Sequence, residues 1–239
     1  MKTKKVIAVI ISVFIFLGLV SGVVYFNKTY ARIDGEYYKT DVKYIHPHLT
    51  YTKIMEINKC TELEEMMLAA AEENDISRLT DFKKLSNLYL TVSKANSSDS
   101  KKISTFSNLS ELSLFRTVID LEGFNNSNLS CIISLYSEIE HFDSLANCSS
   151  LRKMVITESI VDDSIIISDG KFVMKNSSFL SAFDNVTELK IYVDSIEDIT
   201  GICEMDSLKE LKIHKGSVSD EKKGLLEDSG IKIIEEQFD

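Results

Sequence analysis

Apolar residues fall in one short spacing again and again along this chain: Leu63-x-x-Met66-x-Leu68, Leu85-x-x-Leu88-x-Leu90, Leu109-x-x-Leu112-x-Leu114, Leu151-x-x-Met154-x-Ile156, Val186-x-x-Leu189-x-Ile191 and Leu208-x-x-Leu211-x-Ile213. The steps between first positions are 22 (63 to 85), 24 (85 to 109) and 22 (186 to 208). The 42-residue step from 109 to 151 holds a degenerate copy, Leu129-x-x-Ile132-x-Ser134, and the 35-residue step from 151 to 186 implies one repeat with an insertion. Alternation in each copy predicts a short strand whose leucines point one way and whose neighbours point the other. Ahead of many strands the apolar residues come every third position, as in Ile76, Leu79, Phe82 and Leu85, or Ile139, Phe142, Leu145, Cys148 and Leu151. That spacing predicts a tight helical turn or an extended connector burying every third side chain.

A fixed period of this length is the signature of a solenoid, in which each unit buries its apolar side only against the next. The repeating spacing from Ile54 to Ile213 resembles the leucine-rich-repeat family, of the internalin-like kind with repeats of roughly 22 residues. The resemblance implies an α/β solenoid with a parallel β-sheet on its concave face, and a role as a scaffold that binds proteins or peptides. In that family a slot three residues beyond the last apolar position of the strand usually holds an Asn that satisfies backbone groups inside the turn. Here the slot holds Ala71, Ser93, Thr117, Ser137, Ser159, Asp194 and Gly216. Hydroxyls and Asp can do part of that work.

If the strands keep this register, their outward side chains form columns on the concave sheet. Tyr89, Phe115, Ile133, Leu135, Val155 and Tyr192 would lie toward the middle, beside Lys190 and Lys212. Apolar and aromatic residues inside a charged rim are the expected form of a partner-binding patch. A shift of the degenerate repeat by one residue would instead bury Ile133 and Leu135.

Before the repeats, Lys2, Lys4 and Lys5 precede an uncharged run from Val6 to Phe26, about the length an α-helix needs to cross a bilayer. The reading is a cytoplasmic tail at 1–5, a transmembrane signal anchor at 6–26, a spacer and N-terminal cap at 27–52, repeats at 53–215 with a hairpin insertion near 160–180, and a C-terminal cap at 216–239. Within 27–52 the spacer is expected to run to about Thr40. The N-terminal lysines favour an inside N-terminus, which places the repeats outside the cytoplasm on a single-pass anchor. The alternative is a cleaved signal peptide and a secreted domain. An assembly role carried by the anchor helix, through Ser12, Gly18, Ser21 and Gly22, is the second functional reading.

Asp169-Gly170, set between Ile165-Ile166-Ile167 and Phe172-Val173-Met174, predicts the hairpin. The polar run from Ala95 to Lys102 reads as a loop. Ser219 before Asp220 and Glu221, with Gly230 after, predicts a capped helix followed by a last strand near Ile231–Ile234.

The net charge of −10 argues against nucleic acid as a partner. Four cysteines without a Cys-x-x-Cys pair read as thiols filling apolar slots. His46 and His48 form a lone His-x-His, and His141 is expected to face solvent. No phosphate-cradling glycine loop, nucleophile elbow or zinc-binding His-Glu-x-x-His is present. The expectation is a protein without catalytic activity, cofactor, metal or small-molecule substrate, whose partners are a protein or peptide and, through its N-terminal helix, the membrane.

Overall fold

The structure is a computed structural model that describes residues 19–237. Each repeat contributes one short strand to a nine-stranded sheet that is parallel throughout. In chain order its strands are Tyr44–Ile45, Glu65–Ala69, Asn87–Thr91, Glu111–Phe115, Cys131–Leu135, Lys153–Thr157, Glu188–Tyr192, Glu210–His214 and Lys232–Glu236. The register is continuous: Leu88 faces Leu112, Leu112 faces Ile132 and Ile132 faces Met154. The leucines of the repeat therefore stack into buried columns, and each fully buried side chain contributes roughly 1.5–3 kcal/mol.

The residues at threefold spacing lie on short helical turns, among them Ile54–Ile57, Ile76–Arg78, Phe142–Asn147, Ser178–Ala182 and Thr200–Cys203. Ahead of the seven main-sheet strands from Glu65–Ala69 to Glu210–His214 they bury Cys60, Phe82, Phe106, Cys148, Phe183 and Met205, with Asn126 in the same slot of the degenerate repeat. Its side chain donates to the Phe106 carbonyl at 3.1 Å, so the polar substitute is satisfied. All four cysteines are free thiols; burial pushes Cys60 up to about 11 and raises Cys148 and Cys131.

The missing slot asparagine is replaced by a ladder of hydroxyls. The Ser93, Ser137 and Ser159 hydroxyls accept the backbone N–H of Ala71, Thr117 and Ser137, each at 3.1 Å. Each of the three donates in turn to the carbonyl two residues earlier in its own repeat, at 2.9 Å. Ser134, the polar residue that the degenerate repeat sets in the inward columns, donates to the Ser159 hydroxyl at 2.9 Å.

A second, seven-stranded sheet runs along the solenoid just past the main strands, built from two- to four-residue strands. The insertion enters here. Ile165–Ser168 and Lys171–Met174 form the hairpin that Asp169-Gly170 predicts, spliced between Ile160–Val161 and Ser195–Ile196. In the main sheet, Lys153–Thr157 pairs directly with Glu188–Tyr192. The long step thus adds two strands to the second sheet and none to the first.

Three expectations need correction. Residues 30–40 are not a spacer: Tyr30–Ile33 and Glu36–Lys39 form an antiparallel pair that buries Ala31 and Ile33, and the Arg32 amide donates to Glu56 at 2.8 Å. Packing against the repeats therefore starts at Tyr30, ahead of the expected boundary near Thr40. The polar run at 95–102 is not a loop but the start of the helix Ser97–Ser104. Asn96 and Asp99 close a capping box, and the buried Asp99 also accepts the Asn74 and Ser77 amides at 2.7 Å. The last strand is Lys232–Glu236, longer than expected and shifted toward the C-terminus, and the expected helix before it is Asp220–Asp228.

Most of the expected membrane span, residues 6–18 of 6–26, lies outside the described residues, as do the cytoplasmic tail at 1–5, Ser12 and Gly18. Residues 19–29 are helical, with Leu19, Val23 and Tyr25 exposed. Among the described residues no helix is long and apolar enough to cross a membrane.

Candidate binding face

Strict alternation in the parallel sheet fixes what it presents. Burial in the Cys131–Leu135 strand places Ile132 and Ser134 inside and Ile133 and Leu135 outward, so the degenerate repeat keeps the common register. Tyr89, Ile133, Leu135 and Val155 stand half-buried on the outer face, and Phe115 is exposed. Ile133 lies between Ser113 and Val155, and Leu135 between Phe115 and Thr157. Neighbouring strands are about 4.8 Å apart, so Phe115, Leu135, Ile133 and Val155 form a contiguous apolar stripe, with Tyr89 set one strand beyond Ser113.

Tyr192 departs from the expectation. It lies on the outward side by alternation, yet it is only 7% exposed, and its hydroxyl donates to the Glu236 carboxylate of the final strand. Burial and that hydrogen bond push its hydroxyl pKa well up. Tyr192 is part of the C-terminal packing rather than of an open patch.

Lys190 and Lys212 are likewise engaged. Lys190 lies 3.4 Å from Glu188, and Lys212 lies 3.6 Å from Glu210 and 3.5 Å from Glu236. Partial desolvation would lower Lys212, but Glu236 and Glu210 outweigh it and hold the ammonium above its ordinary range. Lys153 and Lys232 add pairs to Glu188 and Glu210. The C-terminal third of the face is therefore a lattice of mutually neutralised charges, whereas its middle is apolar. Toward the N-terminal side Glu65 and Glu111 flank Tyr89; the Asn87 amide would lower that phenol, but desolvation and the two carboxylates prevail and raise it.

The sequence reading missed the rim. Directly after five successive main-sheet strands, Ala70, Val92, Arg116, Tyr136 and Glu158 adopt φ between 42° and 55°. None is glycine, and each such residue costs roughly 1–2 kcal/mol. The conformation is held because each backbone N–H still donates to the next repeat, as Val92 does to Phe115 at 2.9 Å and Tyr136 to Thr157 at 3.0 Å. It turns Val92 and Tyr136 out to 62% and 50% exposure. Tyr136 packs edge-on against Phe115, with ring centroids 6.1 Å apart, which extends the apolar stripe over the rim. No glycine or asparagine marks these positions, so no local signal announces them.

One group of metal-capable atoms occurs among the described residues. Asp120, Glu140 and His141 bring ligand atoms within 4.8 Å of one another on the second sheet. His141 Nδ1 lies 2.8 Å from Asp120, a contact that holds the ring above its ordinary pKa, and the side chain is 54% exposed as expected. The arrangement is that of a solvated ion pair.

Neither a protein-family model nor a curated protein sequence matches the chain. Among solved structures it is similar to internalin C2 of Listeria monocytogenes, at 16% identity and a TM-score of 0.52, over 86% of this chain and 79% of that one. An internalin (inlF) of the same organism aligns at 19% identity and a TM-score of 0.46, over 84% and 70% of the two chains. A plant peptide hormone receptor, RGFR1 in complex with RGF2, aligns at 11% identity and a TM-score of 0.48, over 83% of this chain and 32% of that one. The internalin C2 likeness, together with the unbroken parallel register, gives the chain the fold of a leucine-rich-repeat solenoid.

Proposed function

We propose that the chain is a membrane-tethered, extracytoplasmic leucine-rich-repeat module that binds a protein or peptide partner through its concave sheet. The observation that carries the reading is the stripe of Phe115, Ile133, Leu135 and Val155, with Tyr89 beyond it, held on a rigid parallel sheet with charged residues at its ends. Outward positions of a sheet that faces only water would be expected to be polar, and these five are apolar or aromatic. The tether is supported by the uncharged run from Val6 to Phe26 and by aromatic and basic residues just after it. Phe26 stacks on Tyr30 at 4.8 Å and meets Tyr37 edge-on at 5.1 Å, beside Lys28 and Arg32, the residue types that anchor a helix end at a membrane surface.

The test is to replace Ile133 and Val155 with Glu in the full chain and to follow partner recruitment and melting together. The account expects recruitment to fall by at least about tenfold with the melting temperature held, as for removal of a central apolar anchor. Unchanged recruitment by a folded variant would remove the concave face from the reading.

A further inference from the structure

The hairpin does more than lengthen the second sheet. At its base, Ile165 and Met174 face each other and are fully buried, continuing the inward column Ile119, Ile139 and Val161. Two residues further along both strands, Ile167 and Phe172 face each other on the same side of the hairpin. Ile167 is 53% exposed, because at that point the hairpin has passed the edge of the core. Its apolar face overhangs the rim. Between the two lies a cleft of about 250 Å³ lined by Ile167 and Phe172 on one side and by Arg116, Val118, Tyr136 and Ile160 on the other. Val118 and Tyr136 are 42% and 50% exposed, so one wall is largely open apolar surface, while Phe172 on the other packs against the core and roots the hairpin there.

The overhang is fixed in place. Asp194 takes the Phe172 amide on its carboxylate at 2.8 Å and returns its own amide to the Phe172 carbonyl at 2.9 Å. This explains why an exposed Asp stands in a slot that other repeats fill with a buried hydroxyl. Lys175 ties the hairpin's end to Glu197 at 2.9 Å. A rigid cleft loses little entropy when it is filled.

Charge decides what fits. Glu138 and Glu158 border the cleft, and through Glu138 and Ile160 it runs into a trough lined by Glu140, Asp162 and Asp163. Glu138, Glu140, Glu158 and Asp163 are exposed and, among the described residues, none is paired with a lysine or arginine. Among the described residues that line the cleft the one cation, Arg116, lies over the Phe115 ring at 5.2 Å.

We infer that this cleft, which adjoins the concave stripe at Tyr136, is a second docking site for a peptide segment that inserts an aliphatic side chain between Tyr136 and Ile167 and lays adjacent lysines or arginines along Glu138, Glu158 and the acidic trough. An acidic segment would meet like charges at every step, and an uncharged one would desolvate carboxylates without replacement.

The test uses the full chain and two fluorescein-labelled peptides of equal length, one alternating Leu with Lys and the other Leu with Glu, followed by anisotropy. The Leu–Lys peptide should bind saturably and at least about tenfold more tightly than the Leu–Glu peptide, and its binding should weaken as salt rises. Ile167→Asp should weaken it by about tenfold, whereas Val155→Glu on the concave sheet should leave it unchanged. Glu138→Lys with Glu158→Lys should transfer the preference to the Leu–Glu peptide, a gain that a misfolded protein could not show. Absence of saturable binding by the Leu–Lys peptide, insensitivity to Ile167→Asp, or loss on Val155→Glu alone would each overturn the assignment.

Discussion

Ser159→Ala probes the hydroxyl ladder at its most connected point. The Ser159 hydroxyl is fully buried and makes three contacts: it accepts from the Ser137 amide at 3.1 Å and the Ser134 hydroxyl at 2.9 Å, and donates to the Thr157 carbonyl at 2.9 Å. Its removal leaves the Ser137 N–H and the Ser134 O–H buried without partners, at about 1–3 kcal/mol each, so a loss of about 2–6 kcal/mol is expected. The most direct readout is native-state hydrogen exchange. Because 1.4 kcal/mol is a factor of ten, 2 kcal/mol speeds exchange at the Ser137 amide by about 30-fold. Ser134→Ala in the same chain removes one of the two orphaned donors, so the double variant should cost about 1 kcal/mol less than the sum of the singles. Ser159→Thr should keep most of the stability, since Thr117 fills the same slot two repeats earlier and its hydroxyl also donates to the carbonyl two residues back. A Ser159→Ala loss under about 0.5 kcal/mol, or strict additivity with Ser134→Ala, would refute the ladder as the substitute for the slot asparagine.

Other expectations are equally specific. A Cβ on Gly201 would lie 1.9 Å from the Ser177 carbonyl oxygen and 2.5 Å from its carbon, so Gly201→Ala must push the Thr200–Cys203 turn away from its neighbour and should cost about 1–3 kcal/mol or more in denaturant titration. Gly224→Ala, inside the Asp220–Asp228 helix with nothing within 4 Å, should instead stabilise by about 0.5–1 kcal/mol. Burial would raise the Asp198 carboxyl, but hydrogen bonds from the Ser177 and Thr200 amides and hydroxyls outweigh it and bring it down to about 2. Its folded pKa lies below the unfolded value of 3.8, so its contribution is present above pH 4 and is lost as pH falls toward 2. Asp198→Asn should flatten that part of the acid-denaturation curve. Val92 is β-branched, holds a φ of 48° and is 62% exposed, so Val92→Asn should raise stability by about 1 kcal/mol in thermal melts.

The architecture was legible because burial in this fold is periodic. Leu63, Met66 and Leu68 and their counterparts are inside for the same geometric reason in every repeat, and the threefold residues, from Ile54 to Leu208, are buried as their spacing required. The Asp-Gly step disclosed the hairpin, but not that its strands join the second sheet, because which sheet a strand joins depends on partners far along the chain. The helix from Ser97 was hidden for a similar reason. A polar run is helical here because Asp99 is held by amides 22 and 25 residues away. Of the expected face, Tyr89, Phe115, Ile133, Leu135 and Val155 stand where alternation put them, while Tyr192 is covered through a contact with Glu236, 44 residues on. Tyr136 and Ile167, which border the hairpin cleft, lie outside the repeat pattern from which the face was read.

The central claim is tested most directly by placing a photo-crosslinking residue at Ile133, in the middle of the apolar stripe, and separately at Met55, an exposed position on the Ile54–Ile57 turn. With the full chain expressed in its native cell and irradiated, the account predicts a discrete protein or peptide adduct from position 133 and none from position 55. Adducts from position 55 alone, or equal labelling from both, would contradict it.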